Sequence, residues 1–65
     1  MIISGHKLAK ARNKKNKTLT EVAVVAGYKS TDRIRQIETG KKVDINPNIV
    51  KAIADYLGVL PEELA

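Results

Sequence analysis

Signals that start and stop helices divide this chain into pieces of about a dozen residues or fewer. Ser4 can cap a first helix from Gly5 to about Lys15, which Asn16 ends. Thr18 followed by Glu21 is a capping box, in which each side chain bonds the other residue's backbone N–H. It opens a second helix that stops at Gly27. Ser30 can cap a third helix, Thr31 to about Thr39, closed by Gly40. Asn46 and Pro47 start a fourth that ends at Gly58, and Pro61 opens a short fifth with Glu62 and Glu63 at its positive end. The valines of the second helix would also suit a strand, but the cap before them and the glycine after them argue for helix.

Apolar residues recur at helical spacing inside these limits. Leu8 and Ala11 face inward in the first helix, Ile34 and Ile37 in the third, and Ile49, Ile53, Tyr56 and Leu57 form a stripe on the fourth. The second helix is apolar nearly all round and is expected to be largely buried. No stretch alternates, and there is no repeat or low-complexity linker. The expected fold is all-α: a compact bundle of about five short helices in one domain spanning residues 1–65.

Composition removes several functions. The chain of 65 residues has room for only a small core. There is no cysteine, so disulfides and thiolate metal sites are excluded. His6 stands alone, so no metal or other cofactor is expected. The longest apolar run, Val22 to Ala26, falls far short of the roughly 18 residues of a membrane span. The opening MIISGHK lacks the apolar core of a signal peptide, and a cytoplasmic location is expected. An enzyme is not expected. There is no serine–histidine–acid set and no glycine-rich phosphate loop, and Asp32 and Glu38 sit too far apart on one short helix to act as a pair in a cleft. The formal charge of +5 and isoelectric point near 9.8 favour a polyanionic partner. The charge is uneven: residues 1–17 carry six bases and no acid, whereas residues 43–65 carry one base and four acids.

The segment STDRIRQIETGKK, residues 30–42, places Asp32, Arg33, Arg35 and Gln36 around Ile34 and Ile37. That is a helix with an apolar back and a polar front. With the second helix and the turn GYKS before it, it forms a helix-turn-helix over about residues 18–39. In such a motif the second helix lies in the major groove. The pattern T-x-x-E-V-A…G at 18–27, S…I-x-x-I-E-x-G at 30–40 and P…I…A-x-x-L-G-V at 47–59 resembles the Cro/phage-repressor (XRE-type) helix-turn-helix family over residues 5–64.

The resemblance implies a site. Thr31, Asp32, Arg33 and Gln36 are the base-contacting positions. Their chemistry suits the role, since glutamine pairs with adenine, arginine with guanine, and aspartate accepts from the cytosine amine. Thr18 and Leu19 at the second helix's start are expected on phosphate, as are Lys29, Ser30, Arg35, Lys41 and Lys42. Glu38 is expected to pair with Arg12 and tie the first helix to the third. Leu19 stands where the family usually has glutamine, and both the turn GYKS and the loop before Pro47 are longer than usual. Tyr28 has two readings, a phosphate or sugar contact or a cover for the core, and Tyr56 is read as core or dimer contact. The implied function is sequence-specific binding of double-stranded DNA by a transcriptional regulator, a repressor of phage, plasmid or antitoxin type. Its partner would be a palindromic operator, met by a weak or DNA-induced homodimer. Two other readings stay open: a protein-interaction adaptor or anti-repressor on the same fold, and a non-specific nucleic-acid binder.

Overall fold

The computed structural model describes residues 1–65. In chain order it has β1 (Ile2–Ser4), α1 (Gly5–Lys14), α2 (Leu19–Ala26), α3 (Asp32–Thr39), β2 (Lys42–Asp44), α4 (Pro47–Leu57) and a C-terminal 3₁₀ turn (Pro61–Leu64).

Local punctuation acts largely as its chemistry requires. Ser4 Oγ accepts from the Lys7 N–H at 3.3 Å and starts α1. Asn16 closes it in the left-handed region at φ 57°. The Thr18–Glu21 box is complete, with bonds of 3.0 and 3.1 Å. Gly27 ends α2 at φ 81°, a conformation that suits glycine. Asn46 caps α4 through a 2.8 Å bond to the Asn48 N–H, with Pro47 in its first turn. The start of α3 is different. Its N-cap is Thr31, whose side chain makes no capping bond, and Ser30 Oγ reaches only the Asp32 N–H at 3.4 Å.

Two corrections to the all-α, five-helix expectation follow from long-range pairing and length. First, Ile2–Ser4 and Lys42–Asp44 form an antiparallel two-stranded sheet with Ile2 opposite Asp44 and Ser4 opposite Lys42. The Met1 amine binds Asp44 at 3.0 Å and the Ile45 carbonyl at 2.7 Å, which clamps the chain start to the segment after α3. Strands of three residues are too short to show alternation. Second, the fifth element is a single 3₁₀ turn of four residues, not an α-helix. It still anchors Leu64, which is fully buried.

The core draws on every element but β2, whose half-buried Val43 only packs against it: Ile3, Leu8, Val22, Ile34, Ile37, Ile45, Val50, Ile53, Leu57 and Leu64 are all at most 3% exposed. α2 is not wholly buried, since Val24 is 70% exposed. An eight-residue helix packed mainly against α3 and α4 leaves one side open. On α4, Val50 and Ala54 share the buried face with Ile53 and Leu57, while Ile49 is half-buried. α1 crosses close to the end of α3 at Gly5, where a Cβ would collide with the carbonyl oxygens of Ile37 and Gly40.

Candidate nucleic-acid interface

α2 and α3 pack against one another and are joined by the turn at residues 27–31. Ile34 and Ile37 are buried against the rest of the core, so α3 is fixed along its apolar back. At about 100° per residue, Asp32, Arg33 and Gln36 then fall within about a third of the circumference, on the open side. All three are exposed, and Thr31 beside them is half-exposed. The Arg33 and Gln36 side chains make no hydrogen bond or ion pair within the protein. Asp32 is partly engaged: its Oδ1 lies 3.5 Å from Arg35 Nη1 across one turn, with both side chains solvent-exposed. That pairing turns Arg35 toward the front of the helix and offsets the Asp32 charge there.

A second set of bonds fixes the orientation of α3. Arg12 Nε and Nη2 donate to Glu38 Oε2 and Oε1 at 2.7 and 3.1 Å, a bidentate pair. Arg12 Nη1 also donates to the Lys17 carbonyl at 2.9 Å. The two side chains are only 14% and 10% exposed. The bond to Glu38 raises the Arg12 pKa above its ordinary value, against the opposing effect of burial. One guanidinium thus ties together α1, α3 and the linker that leads into α2.

The start of α2 has its own brace. Tyr56 Oη, from the far end of α4, donates to Glu21 Oε2 at 2.6 Å. Lys17 Nζ sits 4.9 Å from the centre of the Tyr56 ring. The Tyr56 bond, followed by the bonds from Thr18, holds the Glu21 carboxyl below its usual range, and the same contact pushes the Tyr56 hydroxyl up. Tyr56 is therefore a surface group beside the helix-turn-helix and not a core residue; 36% of it is exposed. The sequence carried no sign of this contact, because the partners are 35 residues apart. Within the capping box Thr18 and Glu21 use each other's N–H groups, which leaves those of Leu19 and Thr20 free at the positive end of α2. The Leu19 side chain packs against the core, so this residue presents its backbone. Lys29, Ser30, Lys41 and Lys42 are exposed, the lysines on either side of α3. Tyr28 packs, half-buried, against the core cluster.

The sequence matches the helix-turn-helix family over residues 8–64. The chain belongs to the Cro/C1-type (XRE) helix-turn-helix family. Members of this family are DNA-binding modules of the transcription-regulator type, and the exposed front of α3 belongs to the second helix of that motif. Among solved structures, a similar fold occurs in a hydroxyethylphosphonate dioxygenase (Tyr-to-Phe variant), with TM-score 0.75 and 31% identity. The match covers 100% of this chain and 14% of the dioxygenase chain, so the helix-turn-helix unit is a small part of that protein. Among curated proteins no match is found. No group of three or more metal-ligating side chains lies together, and no helix is long and apolar enough to cross a membrane.

Proposed function

We propose that residues 1–65 act as a sequence-specific binder of double-stranded DNA, a transcriptional repressor of phage, plasmid or antitoxin type. In this reading α3 enters the major groove. Arg33 and Gln36 read base edges, Thr31 and Asp32 contribute at the helix start, and Asp32 also orients Arg35. Phosphates are held by the free N–H groups of Leu19 and Thr20, with Thr18 beside them, and by Lys29, Ser30, Arg35, Lys41 and Lys42. The observation that carries the reading is the unengaged pair Arg33 and Gln36, exposed on a helix whose back is buried and whose roll is fixed by Arg12–Glu38. A helix held this way has little backbone freedom left to lose on binding, and the ordering cost falls on the two side chains themselves.

A palindromic operator bound by two copies places the two α3 helices about 34 Å apart. In vitro selection from random duplexes at about 150 mM salt tests the proposal, because non-specific binding is weak there. Enrichment of a palindrome is the expected result. Absence of any enriched sequence would overturn it.

A further inference from the structure

A second charged surface lies away from the recognition helix. Lys7, Lys10 and Lys14 follow the three- and four-residue spacing that puts them on one stripe of α1. Arg12, two residues from both Lys10 and Lys14, points about half a turn away, toward Glu38 on α3. The stripe therefore faces the opposite side of α1 from α3. There it forms one wall of a groove of about 510 Å³, with Lys15 at its end and Gly58, Val59 and Glu63 as the other wall. Ala11 and Val59 are its apolar lining.

Lys10, Lys14 and Lys15 form no ion pair within the protein. Lys7 Nζ is already engaged, donating to the Ala65 main-chain oxygen at 2.6 Å. Glu63, the one acid on the groove, is turned to the Leu60 N–H at 2.9 Å. We propose that this groove is a docking surface for an acidic segment of a partner protein, distinct from the DNA-reading face.

The spacing selects the form of the partner. Along α1 the lysines rise by about 4.5 and 6 Å, which matches carboxylates three and four residues apart on another helix. Alanine- or leucine-sized groups between those carboxylates cover Ala11 and Val59. Single-stranded nucleic acid fits less well, because the groove has no aromatic ring for a base to stack on. A duplex held by α3 lies on the other side of α1. The inference does not depend on the DNA reading.

The test uses the full chain and a fluorescein-labelled helical peptide with glutamates in the same three–four spacing and alanines between, at about 50 mM salt. An identical peptide with glutamines is the control. Exposed charge pairs contribute about two- to fivefold each, so K10Q/K14Q should weaken the peptide about tenfold. Both positions are exposed and glutamine keeps the helix, which far-UV circular dichroism checks. R33A/Q36A should leave the peptide affinity unchanged. No peptide binding, equal binding of the glutamine control, or equal affinity for K10Q/K14Q would overturn the proposal. So would a K10Q/K14Q loss of duplex affinity as large as the loss of peptide affinity, which would assign the lysines to DNA. Failure of the DNA reading alone would show in the duplex titration and leave the peptide titration untouched.

Discussion

Glu38→Gln should be among the most damaging isosteric changes in this chain. Glu38 accepts two bonds from Arg12 in a site where the side chains are 10% and 14% exposed. Glutamine keeps one oxygen acceptor but turns an amide N–H₂ toward the guanidinium. Arg12 would then remain mostly buried with its charge uncompensated. A fully buried pair broken on one side costs about 3–5 kcal/mol, and an exposed pair less than about 1 kcal/mol. The residual exposure here lets water reach part of the site, so the expected cost is about 2–3 kcal/mol. For a domain of this size total stability is on the order of 3–10 kcal/mol, and each kcal/mol moves Tm by about 4–8 °C. A fall of roughly 10–20 °C is therefore expected, with a matching fall in the urea midpoint read by circular dichroism at 222 nm. The cycle with Arg12→Met separates the pair from its parts: the double variant R12M/E38Q should lose less than the sum of the singles. Costs below about 0.5 kcal/mol for both singles, or strict additivity, would refute this reasoning.

Tyr56→Phe removes the bond that most lowers the Glu21 pKa. A depressed carboxyl pKa gives stability that is present above its unfolded value and lost as pH falls through the folded one, so Tyr56→Phe should flatten the acid limb of a urea-midpoint profile below about pH 4.5. The raised Tyr56 pKa acts the other way, and its contribution should be lost as pH rises above about 10; wild-type and variant profiles of identical shape would contradict both. Gly5→Ala should destabilise far more than Gly27→Ala, because a Cβ at Gly5 meets backbone carbonyls, whereas at Gly27 it meets open space and only the left-handed φ of 81° opposes it. The Gly27 change should cost about 1–2 kcal/mol, and equal losses in thermal melts would rule out the close α1–α3 approach. With Lys29, Arg35, Lys41 and Lys42 on phosphate in each copy of a dimer, log affinity for the selected duplex should fall against log salt with a slope of about −7, and a slope near zero would remove the phosphate assignment.

The parts of the fold legible in the sequence were those set by neighbours in the chain. Thr18 with Glu21, Asn46 with Pro47, and the glycines at 27 and 58 act within one turn of their own position. The β1–β2 pairing joins residues about 40 apart, Ile3 with Val43 at its centre, through strands of three residues, and no local pattern signals it. Val24 illustrates a different limit: a short helix that is apolar all round does not say which side is left open. Tyr56 read as part of an apolar stripe because its ring spacing fits, yet its hydroxyl found a carboxylate on α2. The Arg12–Glu38 assignment came from likeness to a family and not from spacing, and the two residues meet in the structure. The polar front of α3 was legible because Ile34 and Ile37 decide which side is buried.

The most direct test of major-groove reading by α3 is to titrate wild type and Gln36→Ala against the selected duplex and a set of its single-base variants. The expected result is loss of discrimination at one base pair, about 1–3 kcal/mol, with preferences at the other positions kept. Uniform weakening across every duplex, or no change at all, would contradict the assignment of Gln36 to a base and of α3 to the groove.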